Sequence, residues 1–535
     1  MTKPALFFFI ALSASNVLNA QTSVQYRVAG TVVDAVSGAS LSQARVFLQD
    51  VKSRRPPQSV VTQEGGRFEF AALAAGKYSL QAAKRGYVAI AYNQHDQFST
   101  AIVTGAGVDT EHLTFRLPPT AAIVGKILDE AGEPVREAQV SLYREGHSTG
   151  MTRITRFRAA NTDDVGTYEF VSLPAGNYFV GVQATPWYAV GPMTNPSETP
   201  ESSSAAPDRA LDVAYPATYY AGATESDDAT PILLRNGDRV EIDIHLAPVP
   251  TLRVIMRSAE GSDRSIPVFQ RRVFDSTEPV LPSGPHMLSQ GVMAIGIPAG
   301  HYVAQAMGQH GGQQLGEVDV TRDGQSLDFA ASEPLGSAHF TVQVADKMPQ
   351  QLALGLMDNQ HQPVAFQLVD PQGQVNFEGL APGKYSLLAP SAEKLYSIMK
   401  ITVGGTPLEG NTLNISSGAR LEATVSLASG SASVEGFAKK HGKPLAGAMI
   451  VLVPANPESN YQFFRRDQSD LDGSFSLRDV VPGTYTAIAI EDGWDLDWSS
   501  PGAIAHYATR GQKVIVRDGT RGSVTLSAPI EAQTK

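Results

Sequence analysis

An all-β chain, a tandem array of about five seven-stranded β-sandwiches behind an export signal, is what this sequence predicts, and three observations carry it. A phrase of an apolar residue, Pro or Ala, Gly, any residue and Tyr recurs five times, at Gly76, Gly176, Gly300, Gly383 and Gly483. The intervals of 100, 124, 83 and 100 residues match one small sandwich per copy, and an internal repeat outranks other fold signals. The composition is rich in turn formers, with 48 Gly and 34 Pro, and only 18% of residues are charged. Beyond the N-terminus, no amphipathic helical stretch competes with the strand pattern.

Each element of the repeat has a local reason. A turn phrase precedes the Gly-x-Tyr motif: Glu64-Gly-Gly-Arg-Phe68, Asp164-Val-Gly166-Thr-Tyr168 and Asp472-Gly473-Ser-Phe475, with weaker copies at Gln290-Gly291 and Gln372-Gly373. Gly supplies the positive φ of a tight turn, and the alternating apolar positions that follow face one side of a sheet. Two turns around a strand of about five residues describe a β-meander. Opening strands read Val28-Ala-Gly30-Thr-Val, Ile123-Val-Gly125-Lys-Ile and Val434-Glu-Gly436-Phe-Ala. A closing element recurs as Arg235-Asn-Gly-Asp-Arg239, Thr321-Arg-Asp-Gly324 and Arg517-Asp-Gly-Thr-Arg521.

The succession G-x-V-x-D, P-L-x-G-A-x-V-x-L and D-x-x-G-x-F-x-F-x-x-L-x-P-G-x-Y resembles the carboxypeptidase regulatory-like domain. That resemblance implies a transthyretin-like (Ig-like) β-sandwich, similar to collagen-adhesin B-type and starch-binding-like sandwiches. Units one, two and five match this pattern well, and units three and four keep only its second half. The expected divisions are a signal peptide at 1–20 and sandwiches at 21–118, 119–249, 250–333, 334–428 and 429–535. The second holds a long aromatic loop at 187–231. Alternation of strongly and weakly matching units suggests a semi-rigid rod.

Lys3, the apolar run Ala5–Leu12 and Ala20 form the export signal. With no Cys there is neither a lipoprotein anchor nor a disulfide, and no later run is long enough to span a bilayer. The expected location is therefore secreted, periplasmic or on the outer envelope. A net charge of −11 argues against nucleic acid as a partner.

Catalytic signals are weak. None of the eleven His residues begins an H-x-x-E or H-E-x-x-H sequence, so the metallopeptidase suggested by the family name is not expected. Gly146-His-Ser148-Thr-Gly150 spells a nucleophile elbow, but the residues after it alternate like a strand where a helix is required. A hydrolase using Ser148 is thus a remote alternative, and no cofactor is expected. Asp467, Asp470 and Asp472 before Gly473 make a weak Ca²⁺ candidate lacking the downstream Glu. A Lys–Asn or Lys–Asp crosslink of the collagen-adhesin type is not expected around Lys126, because no acid stands at the matching strand. Basic clusters at Arg153, Arg156 and Arg158, Arg271-Arg272 and Arg465-Arg466 read as charged strand edges or as a surface for an anionic polymer.

The strongest functional signal is aromatic. All three Trp residues lie in the two long connections of units two and five. Trp187, Tyr188, Tyr219 and Tyr220 belong to the first. Trp494, Asp495, Asp497, Trp498, His506 and Tyr507 belong to the second. Such rings either lid a sandwich or stack on sugars while the acids and His bond hydroxyls. The expectation is non-catalytic recognition of an extracellular polysaccharide or cell-envelope glycan. The alternative is a structural or adhesive scaffold for a cell-envelope protein.

Overall fold

The computed structural model describes residues 24–53, 55–147, 150–189, 211–257, 266–280, 284–288, 291–308, 311–328, 334–344, 348–358, 363–392, 396–408, 410–458 and 460–535. The expected signal peptide lies outside these residues, as do Ser148 and part of the 187–231 loop. Among the described residues the strands form ten sheets, and five large hydrophobic cores lie between facing pairs of them, as in β-sandwiches.

One topology recurs. In the first sandwich the opening strand Tyr26–Asp34 pairs antiparallel with Arg67–Leu73 and parallel with the closing strand Leu113–Leu117. In the second, Ala121–Leu128 stands between Thr167–Leu173 and the parallel strands Arg239–Glu241 and Ile244–His245. The third places Val249–Arg257 between Gly291–Pro298 and parallel Gln325–Asp328. In the fourth, Gly336–Val344 stands between Gln374–Leu380 and parallel Arg420–Ser429. In the fifth, Ala432–Lys440 stands between Ser474–Val480 and parallel Gly522–Thr525.

The recurrent phrase now has a physical reason. Its Tyr is buried in every copy, at positions 78, 178, 302, 385 and 485. A buried phenol needs a partner. Each hydroxyl donates to the carbonyl four residues earlier: Ala74 at 3.1 Å, Pro174 at 2.8 Å, Pro298 at 2.8 Å, Ala381 at 2.6 Å and Val481 at 2.8 Å. The residue six before each Tyr adopts a left-handed backbone (Ala72, Ser172, Gly296, Gly379 and Asp479), and the pairing with the opening strand slips there in all five copies. This bulge turns the chain into the corner that the hydroxyl then ties. The turn Gly is equally constrained. A Cβ on Gly166 or Gly473, both at positive φ, would stand 2.8 or 2.4 Å from a carbonyl oxygen of the opening strand.

Three findings depart from expectation. Pro501–Ala508 is a helix, which sequence periodicity did not reveal because it spans only eight residues and its apolar residues are not confined to one face. Val213–Ala214, inside the unit-two connection, pairs with Val249–Arg257 and so joins the third sandwich's sheet. The chain also does not extend as a rod, since the fifth sandwich touches the first, second and fourth. Two outer sheet faces are buried as well. Strand Met449–Pro454 is buried at every position, its outward side chains covered by Phe464, Ile504, Tyr507, Trp494 and Trp498. Tyr143, Phe179 and Tyr219 of the second sandwich likewise enclose Phe274, the tip of a third-sandwich hairpin.

Replacing Tyr178 by Phe removes a buried hydrogen bond and leaves the Pro174 carbonyl without this donor. The expected loss is about 1 kcal/mol, read as a lower urea midpoint in the transition of the second sandwich.

Candidate functional site

The edge strand Arg465–Gln468 and the turn after it face residues 93–101 of the first sandwich, whose ends are tied by the His95–Phe98 bridge. Gln468 fills the gap: Nε2 donates to Asn93 O at 2.6 Å and Thr100 Oγ1 at 2.9 Å, and Oε1 lies 3.1 Å from His95 Nδ1. Main chain joins main chain through Leu471 N to Ala101 O at 3.0 Å, and Leu471 packs against the first core.

Asp470 shows how the repeat was adapted. In the second and fourth sandwiches the equivalent Asp163 and Asp370 cap their own turns, accepting N–H groups of Val165 and Thr167, or Gln372 and Gln374. Asp470 instead accepts the Ala101 N–H at 3.0 Å and pairs with the Lys77 ammonium at 2.5 Å, both in the first sandwich. Asp472 takes over the local N–H of Ser474. Asp467 accepts Ser476 N–H at 2.7 Å. The three acids of the Ca²⁺ candidate thus each accept protein donors, and no group of three His, Cys, Asp or Glu among the described residues is placed to hold a metal.

Arg466 occupies the centre of the seam. Its side chain is 2% exposed and donates to Asp96 at 2.8 Å. Its guanidinium lies 4.7 Å from the Trp498 ring centre, 5.3 Å from Trp494 and 5.1 Å from Phe98. Nε and Nη1 are buried without a hydrogen-bond acceptor, so ring faces take their place. Burial pulls the guanidinium's pKa down, and the Asp96 partner opposes that. His95 stacks on Trp494 at 4.7 Å with 5° between planes. Both indoles are half-buried and donate to carbonyls, Trp494 to Gly447 and Trp498 to His147, each at 3.1 Å.

The second contact brings together two segments that the sequence singled out separately. The hairpin between Gln139–Gly146 and Arg153–Asn161 carries the Gly146-to-Gly150 spelling at its tip, and that tip meets the Trp494–Trp498 loop. Asp497 accepts Thr152 N–H at 2.6 Å and its hydroxyl at 2.8 Å, with His147 Nδ1 at 3.4 Å. Ser499 N–H donates to Gly150 O at 3.0 Å. Gly150 is required here, since a Cβ would fall 2.2 Å from Ser499 Oγ. Strands flank the tip on both sides, so the helix a nucleophile elbow needs is not there.

The remaining candidates scatter. Trp187 is 87% exposed, with Tyr188 edge-on at 5.7 Å. Tyr188 and Tyr215 both donate to Glu130, which lowers that carboxyl's pKa, the Tyr188 bond most strongly. Tyr219 is buried against Tyr143 and Phe274 and Tyr220 is half-buried, so they form no platform with Trp187. Asp495 pairs with Lys535. His506 is exposed on the helix, while Tyr507 is buried in the lid. Basic clusters are largely neutralised between sandwiches, through Arg153 with Asp275, Arg156 with Glu278, Arg271 with Glu225 and Arg466 with Asp96. Sequence reasoning missed His95, Asp96, Phe98 and Thr152, because each gains its role only from a partner more than 300 residues away.

Burial raises the Asp467 pKa to about 6, against partial relief from the Ser476 and Gln468 N–H groups. A raised carboxyl favours its neutral form in the folded state. It therefore costs stability above pH 6, and the cost fades as pH falls towards 4. Asp467→Asn is expected to stabilise the protein by up to about 2 kcal/mol at pH 7.5 and to flatten this pH dependence, measured by chemical denaturation from pH 4 to 8.

No curated protein matches the chain. Among solved structures, it is similar to the Bacillus anthracis TIE protein, at 12% identity over 76% of this chain and 75% of that one, with a TM-score of 0.18. It is also similar to GBS52, the minor pilin of Streptococcus agalactiae, at 14% identity over 42% and 97% with a TM-score of 0.22. The shaft pilin SpaA of Lactobacillus rhamnosus GG is similar at 12% identity over 42% and 98%, with a TM-score of 0.19. Within the chain, residues 27–118 match the carboxypeptidase regulatory-like domain, the family that the repeat itself resembles.

Proposed function

We propose that this chain is a non-catalytic extracytoplasmic scaffold, in which the fifth sandwich clamps the first, second and fourth into a fixed arrangement and presents their outer surfaces to cell-envelope partners. The observation that supports this most is the fate of the aromatic loop. Trp494, Trp498 and Asp497, the residues a sugar site in unit five would use, are turned inward onto Arg466, His95, His147 and Thr152. Their hydrogen-bonding groups and ring faces are already engaged. A protein that only threaded independent modules would not need this. No helix of the described residues is long and apolar enough to cross a membrane. The apolar run Ala5–Leu12 after Lys3, which reads as an export signal, supports a place outside the cytoplasm.

Glycan recognition is the second reading, favoured by one observation: the freely exposed indole of Trp187. It stands without the paired platform that the sequence suggested.

Two measurements test these readings. Arg466→Ala is expected to enlarge the radius of gyration in small-angle X-ray scattering while far-UV circular dichroism is unchanged; an unchanged radius would overturn the clamp. Tryptophan fluorescence titrated with soluble oligosaccharides is expected to leave Trp494 and Trp498 emission unmoved. A saturable shift abolished by Trp187→Ala establishes the second reading. A shift abolished only by Trp494→Ala overturns the clamp as the role of that loop.

A further inference from the structure

The second and fifth sandwiches each bury the outer face of their second sheet, one under the Phe274 knob and the other under the Trp494–Tyr507 lid. The corresponding sheet of the fourth sandwich is ordered Pro363–Leu368, Ala353–Met357, Gly383–Leu388, Thr412–Ile415. Its pairing register sets Leu368 against Ala353, Phe366 against Gly355 and Ala365 against Leu356. Leu354 and Leu356 are core residues, so Val364, Phe366 and Leu368 alternate to the outer face. There the Phe366 ring fills the space above Gly355, where a Cβ would approach it to 2.3 Å. The three side chains are 46%, 48% and 71% exposed.

The strand is also an edge, paired only with Ala353–Met357. Among the described edge strands of six or more residues, it alone carries no charge. Charge is the usual device that keeps edges apart. The same sheet face runs towards an existing seam: Ser386, two strands away, lies beside Tyr461 of the fifth sandwich. An apolar stripe, an edge without charge whose Pro363 and irregular pairing at Val364 lie at one end only, and continuity with a buried contact coincide here.

We propose that this edge is a self-association surface, where the strand Pro363–Leu368 pairs antiparallel with the same strand of a second copy across a two-fold axis. The axis passes through an outer-face residue, Phe366 being the central one, so that outer residues meet outer residues. Such pairing is isologous, so one uncharged strand supplies both halves. It avoids the like-charge repulsion that a chain of net charge −11 meets elsewhere. The two stripes of Val364, Phe366 and Leu368 then form one continuous apolar surface across the joined sheets. Six residues bury less than a standard interface, so the dimer is weak, with a Kd on the order of 10 μM or above.

Sedimentation equilibrium on the intact chain is expected to show a mass rising from monomer towards dimer between about 1 and 200 μM. Phe366→Lys and Leu368→Lys, both at exposed positions, are expected to hold the mass at monomer with unchanged circular dichroism. Because the chain has no Cys, single replacements Val364→Cys, Phe366→Cys and Leu368→Cys report the pairing directly. Mild oxidation is expected to link one of them into dimers far more than the others, marking the residue nearest the axis. An intact chain that stays monomeric throughout, a dimer that survives both lysine variants, or no crosslink at any of the three positions would each overturn the proposal. None of these readouts involves Arg466 or the oligosaccharide titration, so the clamp stands or falls separately.

Discussion

The seam between the first and fifth sandwiches depends on one buried cation. Arg466 enters the seam with a single carboxylate partner and three aromatic rings, while two of its nitrogens have no acceptor. A guanidinium tolerates this better than an ammonium, because it is weakly hydrated, flat and able to stack. Removing water from it carries a cost that is met only if Phe98, Trp494, Trp498 and Asp96 are all in place. Two of these come from the first sandwich and two from the fifth. The cation therefore rewards one relative placement of the two and penalises partial separation.

Around this centre, the same few devices recur with altered partners. An Asp that caps its own turn in two sandwiches is redirected in the fifth to Lys77 and Ala101. Outer sheet faces, which an isolated sandwich would leave to solvent, are covered by the third sandwich's Phe274 in the second unit and by the chain's own Trp494–Tyr507 lid in the fifth. In the fourth sandwich Arg465 meets Ser397, and Gln462 bonds both the N–H and the carbonyl of Ile398. The fifth unit thus works as a hub because its edge strand carries long polar side chains on both faces. Arg465 serves one neighbour, while Arg466 and Gln468 serve another.

How much of this could be read in advance differs by level. The five Gly-x-Tyr phrases marked where each sandwich turns, and the turn Gly marked the positive φ before it, while the Tyr tie and the close approach at Gly166 and Gly473 emerge only in the folded chain. Both signals are local, so spacing alone exposed them. The bulges at Ala72, Ser172 and Asp479 escaped notice, because nothing in those residue types announces a left-handed backbone. The helix Pro501–Ala508 escaped too, since its place in the lid, with Ile504 and Tyr507 buried, is fixed by tertiary packing.

For the candidate site the division is sharper. The sequence by itself determined the repeat, the all-β class and the concentration of Trp in two connections, because these follow from residue type and short-range spacing. Only the tertiary structure decided which way the aromatics point. Trp187 is left outside, Trp494 and Trp498 are drawn in, and Tyr219 is sealed beneath Phe274. The physical reason is that an aromatic ring gains similar free energy on a sugar, on a guanidinium or on another ring. Its choice rests on which partner the fold brings within about 5 Å, and some of these partners, His95 for Trp494 and His147 for Trp498, lie more than 300 residues away in the chain.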